Sequence, residues 1–233
     1  TRDKLRAWCL DNGLNAIAST DGDADRPMLT DETGKVIPGD ILGVLTARRL
    51  GAKSVDTPVS SNDMVRRLPG FDEVTLTKIG SPFVIAGMAQ SKQPKVVGFE
   101  ANGGFLLGFD ALGGRLAPLP TRDCIIPILA PLVAAREARK SLSTVVGALP
   151  ACFTAADRVQ DIDSDRAKLF LDGLIDSDSI RATFFALFGT SASTDLTDGL
   201  RVDFDSGDVL HLRLSGNAPE FRIYAQSSSE EKA

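Results

Sequence analysis

An acidic loop near the start of the chain carries the residues best suited to chemistry. The segment DGDADR at 21–26 places carboxylates at Asp21, Asp23 and Asp25, and Arg26 follows them directly. Oxygen ligands of this kind bind hard divalent cations, and a loop that leaves coordination positions open for phosphate is typical of Mg²⁺. An arginine beside such a cation can hold a phosphoryl group. The loop therefore predicts a Mg²⁺ site for a phosphorylated ligand.

The same spacing also opens an EF-hand calcium loop, so this alternative has to be weighed. Glu32 stands at the loop position where a bidentate carboxylate belongs. Arg26, however, stands where that loop requires glycine, and Pro27 follows it. The preceding residues 15–20 (NAIAST) indicate a strand rather than a helix. A metal loop at a strand end is favoured, and an EF-hand or a merely solvated acidic turn remain the alternatives.

A glycine-rich segment, GFEANGG at 98–104, is the second candidate site. The carboxylate of Glu100 accepts hydrogen bonds from hydroxyls, and the amide of Asn102 both donates and accepts them, which suits neighbouring hydroxyls of a sugar. Lys78, at a predicted strand end before Gly80, is a further candidate for the same ligand. Solvated polar turns are the alternative interpretation of both signals.

The third candidate site lies near the end of the chain, in RLSGNAPEFR at 213–222. Arg213 and Arg222 can form a guanidinium clamp, and the Ser215 hydroxyl with the backbone N–H groups through Gly216 and Asn217 can form an anion-binding nest. Phosphate is the ligand that this combination favours. A hairpin loop with two surface arginines is the alternative.

Alternating strands and helices position the first two sites. Hydrophobic patterning predicts helices at 3–12, 41–50, 62–68, 84–89 and 123–140, and strands at 15–20, 54–59, 73–79, 95–100 and 105–109. This alternation indicates an α/β domain. Beyond Pro150, a strand from 153, a helix at 165–174 and strands at 199–205, 209–213 and 220–225 predict a smaller α+β domain with an antiparallel sheet.

Composition excludes several classes of partner. A net charge of −5 with scattered basic residues lacks the electrostatic footprint of nucleic-acid binding. The longest apolar run is interrupted by Pro127 and Pro131, so no membrane span is predicted. Cys9, Cys124 and Cys152 are odd in number and widely spaced, which is typical of reduced thiols and predicts a cytoplasmic protein.

The three loops together resemble those of the α-D-phosphohexomutases. The similarity continues between them, through TKIGSPFV at 77–84 and LSTVVGALP at 142–150. The resemblance implies the end of a second domain with the metal loop at 1–33, a third domain with a mixed α/β sheet at 34–140, and a C-terminal fourth domain at 141–233.

The resemblance also implies an activity and roles for single residues. Members of the family move a phosphoryl group between C1 and C6 of a hexose phosphate, through a hexose bisphosphate and a phosphoserine on the first domain. By this resemblance Asp21, Asp23 and Asp25 would bind Mg²⁺, Arg26 and Lys78 would serve catalysis, Glu100 and Asn102 would bind the sugar, and Arg213, Ser215, Gly216, Asn217 and Arg222 would bind phosphate.

Departures from the family pattern leave the substrate open. No Ser-His pair occurs in the sequence, so the serine loop is expected on a domain that this chain lacks, and the chain alone is expected to be inactive. Ser81, Asn102 and Gly104 stand where other residues are common in the family. A phosphomannomutase is favoured, with phosphoglucomutase and phosphoglucosamine mutase as alternatives within the family. A non-catalytic phosphosugar-binding module is the alternative from another class.

Overall fold

Residues 2–216 and 218–233 are described by the computed structural model of the chain. They divide into two units, Thr1–Pro150 and Ala151–Ala233, each with its own sheet. None of the described helices is long and apolar enough to cross a membrane.

The first unit begins with a helix and a short β-hairpin. Helix α1 (Arg2–Asp11) precedes strands β1 (Ala18–Thr20) and β2 (Pro27–Leu29), which pair in antiparallel register. Residues 21–26 are the turn that joins these two strands. The strand predicted before the acidic loop is therefore present, whereas β2 was missed because three residues starting with proline carry almost no strand pattern.

A five-stranded mixed sheet forms the centre of the first unit, in the order β4-β3-β5-β6-β7. Its strands are β3 (Ser54–Pro58), β4 (Glu73–Thr77), β5 (Val96–Phe99), β6 (Phe105–Leu107) and β7 (Leu119–Asp123). Strands β4, β3 and β5 are parallel to one another. Strand β6 is antiparallel to both of its neighbours, β5 and β7. The predicted mixed α/β sheet is confirmed.

Helices surround this sheet and bury its centre. They are α2 (Gly39–Leu50), α3 (Met64–Arg67), α4 (Ser81–Gln90), α5 (Ile125–Ala138) and α6 (Leu142–Gly147). All five residues of β3 are buried, as expected for a central strand covered on both faces. The helix predicted from Asp123 begins later, since residues 119–123 form β7 and only Ile125 starts α5. That part of the prediction was wrong because the polar sequence LPTRD has no apolar alternation.

The second unit is an antiparallel sheet with two helices. Its elements are β8 (Phe153–Val159), α7 (Ser164–Asp176), α8 (Asp178–Phe184), β9 (Ser191–Asp195), β10 (Leu200–Phe204), β11 (Val209–Leu214) and β12 (Phe221–Ser227), with strand order β8-β12-β11-β10-β9. Helix α7 packs Ala167, Leu171 and Leu174 into one core with the sheet. The predicted smaller domain with an antiparallel sheet is confirmed, although α8 and the polar edge strand β9 were missed.

The division between the two units lies at Pro150, ten residues later than the domain boundary predicted at 140/141. Helix α6 packs on α5 of the first unit. In addition, the carboxylate of Glu32 accepts hydrogen bonds from the backbone N–H and the hydroxyl of Ser143. These contacts join the segment 141–150 to the first unit.

Candidate functional site

The acidic loop is held in a tight turn by its own first carboxylate. Oδ1 of Asp21 accepts hydrogen bonds from the backbone N–H groups of Asp25 (3.2 Å) and Arg26 (3.3 Å). Ala24 has a positive φ of 55°, which lets the chain reverse. The strands β1 and β2 flank this turn, whereas an EF-hand loop requires a helix on each side. The EF-hand alternative is therefore excluded.

The remaining charges of this loop lie close together. Nε of Arg26 is 3.5 Å from Oδ2 of Asp21 and 3.7 Å from Oδ1 of Asp25. Oδ1 of Asp25 is buried and accepts no hydrogen bond from any described residue. Within residues 2–216 and 218–233, no group of three or more His, Cys, Asp or Glu side chains is arranged to hold a metal ion. The binding of Mg²⁺ by Asp21, Asp23 and Asp25 thus stays a prediction that requires the carboxylates to converge further.

The glycine-rich loop joins β5 to β6 and places a buried carboxylate at the carboxyl ends of the parallel strands. Glu100 is only 7% exposed, and the backbone N–H of Gly104 donates to Oδ1 of Asn102 at 3.0 Å. Burial raises the pKa of the Glu100 carboxyl above its ordinary value, although Arg122 and Asn102 partly oppose that rise. Asn102 therefore supports the loop with both ends of its amide, since its Oδ1 accepts from Gly104 and its side chain hydrogen-bonds the Glu100 carboxylate.

Close backbone packing brings the acidic loop and the glycine-rich loop together. A Cβ atom added at Gly103 would lie 2.6 Å from Cγ of Pro27, the residue that follows the acidic loop. A Cβ atom at Gly39 would lie 2.2 Å from the backbone N of Gly103. Only glycine fits at these two positions, so Gly103 lets the glycine-rich loop pack on Pro27, and Gly39 lets the start of α2 approach the same loop.

Arg122, at the end of β7, connects the two loops directly. One guanidinium nitrogen forms an ion pair with Oδ2 of Asp25, and another is 3.8 Å from Oε1 of Glu100. The neighbouring Cys124 thiol donates to the carbonyl of Ala24 at 3.0 Å. Sequence reasoning missed Arg122 because it belongs to none of the motifs; a charged residue at the junction of a strand and a helix was the only available signal.

Lys78 also lies at the carboxyl ends of the parallel strands, but it follows a different strand. It follows β4, and strand β3 separates β4 from β5, which leads to Glu100. The Lys78 side chain is exposed, and its Nζ lies 6.0 Å from the centre of the Phe83 ring. The catalytic role of Lys78 stays a prediction.

In the second unit, the two predicted clamp arginines face each other. Arg213 on β11 and Arg222 on β12 are directly paired across the antiparallel strands. Nε of Arg213 is 3.4 Å from Oδ1 of Asp198, and a terminal nitrogen of Arg222 is 3.2 Å from Oε2 of Glu220. The Nε atoms of both arginines are buried and donate no hydrogen bond to any described residue. Each arginine thus has a carboxylate neighbour and a buried Nε without an acceptor among the described residues.

The loop after Arg213 contains the other predicted phosphate ligands. The backbone N–H of Ser215 donates to the carbonyl of Glu220 at 2.9 Å, which closes the loop, and Gly216 is exposed. Asn217, predicted as part of the same nest, lies outside the described residues. The phosphate-binding roles of Ser215, Gly216 and Asn217 stay predictions.

His211, the single histidine of the sequence, has a structural environment. Its ring is buried and stacks on Tyr224, with 5.3 Å between the ring centres, and Nε2 donates to the carbonyl of Asp198. Burial lowers the pKa of this imidazole, which keeps the ring neutral. These contacts indicate that His211 supports the strand carrying Arg213.

Comparison with known proteins places this arrangement in a family. The family model for phosphoglucomutase/phosphomannomutase, alpha/beta/alpha domain III, matches residues 38–153. The chain belongs to the α-D-phosphohexomutase superfamily, and it corresponds to the C-terminal portion of the member proteins. A phosphomannomutase from Sinorhizobium fredii (strain NBRC 101917 / NGR234) is 43% identical over 235 residues, covering 98% of this chain and 49% of the relative. The chain thus spans about half the length of the curated relatives it matches.

Solved structures share the fold at low sequence identity. A phosphoglucomutase/phosphomannomutase family protein from Burkholderia thailandensis superposes with a TM-score of 0.71 at 18% identity, covering 99% of this chain and 45% of the other. An Aspergillus fumigatus N-acetylphosphoglucosamine mutase in complex with GlcNAc-6P and magnesium gives a TM-score of 0.61 at 16% identity, covering 94% of this chain and 50% of the other.

Proposed function

We propose that this chain carries the cation, sugar and phosphate loops of a phosphomannomutase, an isomerase that moves a phosphoryl group between C1 and C6 of a hexose phosphate. The observation that carries the proposal is the joining of the acidic loop to Glu100 through Arg122, because it brings a cation-binding loop next to a hydroxyl-binding carboxylate. The 43% identity to a phosphomannomutase supports mannose phosphate as the preferred substrate.

The residues of the acidic loop fit a Mg²⁺ ion. Asp21, Asp23 and Asp25 offer only oxygen ligands, and Oδ1 of Asp25 is a buried acceptor without a donor among the described residues. The solved mutase that contains magnesium, although only its fold is shared, is consistent with this choice. When bound, Mg²⁺ would neutralise negative charge on the phosphoryl group.

The other residues of the first unit would orient the sugar phosphate. The guanidinium of Arg26 is largely exposed beside the carboxylates, so it can donate to a phosphoryl oxygen. Glu100 would accept hydrogen bonds from sugar hydroxyls, and the amide of Asn102 would donate to them. Lys78 would supply a further positive charge at the same sheet edge. Catalysis of this kind consists mainly of positioning and charge neutralisation.

The second unit would hold the phosphate that does not react. Arg213 and Arg222 lie at paired strand positions, and the segment with Ser215, Gly216 and Asn217 begins two residues after Arg213. A phosphate dianion can accept hydrogen bonds from both guanidinium groups. The hexose bisphosphate intermediate and a phosphoserine donor from another part of the enzyme belong to the same proposal, as does a cytoplasmic location, which the three free cysteines support.

A substrate panel on the intact protein tests the proposal. We expect the highest kcat/KM with mannose 1-phosphate, compared with glucose 1-phosphate and N-acetylglucosamine 1-phosphate, in the presence of Mg²⁺. Asp23→Asn should lower kcat by about 100-fold or more, because one cation ligand loses its charge. Asp11→Asn, an exposed position at the end of α1, is the matched control.

Three outcomes would change the conclusion. A preference for glucose or N-acetylglucosamine phosphate would reassign the substrate within the superfamily. Unchanged turnover in Asp23→Asn would remove the cation site from the proposal. Binding of sugar phosphates without turnover of any of them would identify a non-catalytic phosphosugar-binding module.

A further inference from the structure

The contacts of Arg122 differ on its two sides, and this difference indicates a role in binding. On one side the guanidinium forms a close ion pair with Asp25 of the acidic loop. On the other side it is 3.8 Å from Oε1 of Glu100, a distance too long for a hydrogen bond. Oε1 of Glu100 is buried and accepts no hydrogen bond from any described residue. The space between Arg122 and Glu100 therefore holds an acceptor that still needs a donor.

The side chain of Arg122 also lies directly on the glycine-rich loop. A Cβ atom at Gly104 would be 2.7 Å from Cδ of Arg122, so the arginine occupies the space that a side chain at position 104 would need. Its side chain is 27% exposed at the junction of the two loops. An arginine presents five N–H donors in a planar fork, which is more than its two carboxylate neighbours use.

The net charge at this junction favours replacement of Arg122 by a cation as the partner of Asp25. Asp21, Asp25 and Glu100 lie within 3.8 Å of Arg26 or Arg122, and Asp23 belongs to the same acidic loop. Four carboxylates and two guanidinium groups leave a formal excess of two negative charges. A divalent cation matches this excess. Because the cation and Arg122 compete for the carboxylate of Asp25, cation binding would free part of the Arg122 fork.

Resting on the function proposed above, we infer that Arg122 binds the hexose phosphate at the junction of the two loops. Arg122 forms an ion pair with Asp25. With Asp25 holding a cation, N–H groups of Arg122 would donate to a phosphoryl oxygen of the ligand, and Oε1 of Glu100 would accept a hydrogen bond from a ligand hydroxyl. Arg122 thereby couples occupation of the cation loop to binding of the phosphorylated sugar.

This role predicts opposite effects on two affinities. In Arg122→Gln, the affinity for Mg²⁺ alone should rise about three- to tenfold, since a competing positive charge is removed from Asp25. The affinity for mannose 1-phosphate at saturating Mg²⁺ should fall about tenfold or more, since charge-assisted hydrogen bonds are lost. A purely structural arginine would instead weaken both affinities together.

Calorimetric titration of the intact protein measures both quantities, first with MgCl2 and then with mannose 1-phosphate. Arg115→Gln, an exposed arginine in the loop between β6 and β7, is the control and should change neither affinity. Arg122→Lys keeps the charge without the fork, so Mg²⁺ affinity should remain near that of the unmodified protein while mannose 1-phosphate binds more weakly. This variant also decides the question if Arg122→Gln fails to fold.

Two results would overturn the inference. One is a parallel loss of both affinities in Arg122→Gln, and the other is unchanged affinity for mannose 1-phosphate in Arg122→Gln or in Arg122→Lys. Asp23→Asn in the same titration separates this inference from the proposed function. If Asp23→Asn does not weaken Mg²⁺ binding, the cation site itself is wrong; if it does while Arg122→Gln changes nothing, only the role of Arg122 fails.

Discussion

The charged side chains of the two candidate ligand sites are paired in different ways. In the first unit the charges of the acidic loop have opposite partners at hand, since Arg26 and Arg122 both pair with Asp25. In the second unit two like charges, Arg213 and Arg222, stand directly opposite each other on adjacent strands. Like charges in this position repel, and each arginine has its own carboxylate neighbour to offset the repulsion, Asp198 for Arg213 and Glu220 for Arg222. One carboxylate is thus shared by two arginines in the first site, whereas each arginine of the second site has a separate carboxylate.

The backbone supports the same contrast. In the first unit, Gly39 and Gly103 allow the start of α2 and the glycine-rich loop to touch through their main chains. In the second unit, the loop after Arg213 is closed by the hydrogen bond between Ser215 and Glu220. Substitutions in each unit therefore test this contrast.

Gly39→Ala should have the largest effect, because its Cβ would overlap the backbone of Gly103 and Ala101. We expect a loss of about 3 kcal/mol in the free energy of unfolding, since backbone atoms cannot move aside as a side chain can. Urea denaturation followed by circular dichroism measures it. Gly147→Ala, where nothing lies within 4 Å of the added atom, is the control. A stable Gly39→Ala variant with unchanged sugar phosphate affinity would show that the glycine-rich loop does not need this close approach of α2.

Arg213→Ala should raise KM for hexose phosphates about 10- to 100-fold, with Mg²⁺ affinity unchanged, because charge-assisted hydrogen bonds to the distant phosphate are lost. Steady-state kinetics and Mg²⁺ titration of the intact protein give the two values. Arg166→Ala, an exposed arginine of α7, should leave both unchanged. An equal loss of Mg²⁺ binding in Arg213→Ala would mean that Arg213 is only structural.

Glu32→Gln should destabilise the first unit in a pH-dependent way. Burial opposes ionisation, but hydrogen bonds from Ser143 and Ser141 outweigh it and lower the pKa of Glu32 from 4.5 to about 2. A lowered carboxyl pKa stabilises the fold above the ordinary value and loses that effect as the pH falls. We expect a loss of about 1 kcal/mol at pH 7 that shrinks as the pH falls below 4.5 toward 2.

Thermal unfolding of Glu32→Gln between pH 7 and pH 3 provides this measurement, with the exposed Glu231→Gln as control. A difference in Tm that stays constant over this range would contradict the assigned role of the Glu32 carboxylate.

Gly173→Ala should give the smallest effect and the opposite sign. Gly173 lies inside α7, and nothing is within 4 Å of an added Cβ atom. Alanine costs less backbone entropy in a helix, so the free energy of unfolding of the second unit should increase by about 0.5–1 kcal/mol. Urea denaturation should show this gain without any change in Mg²⁺ affinity. A destabilised variant would indicate that α7 needs its glycine for a reason that the open space does not reveal.

The sequence predicted most elements whose pattern is strongly periodic. The helix at 41–50 and the strands at 54–59 and 209–213 appear nearly as expected, because apolar spacing reports which face of an element is buried. Elements without such a pattern were missed. Strands β7 and β9 are short and polar, and their strand geometry comes from pairing with neighbours rather than from their own residues.

Residue types and their spacing were enough to locate the candidate chemistry of the molecule. The acidic, glycine-rich and arginine-containing loops were visible in residue types and spacing, since carboxylates, amides and guanidinium groups have fixed ligand preferences. Tertiary structure alone decided how the acidic loop meets Glu100. That contact depends on Arg122, on the backbone approach at Gly39 and Gly103, and on the antiparallel return of β7. Contacts between residues far apart in the sequence leave no local pattern, because they arise only when the sheet has formed.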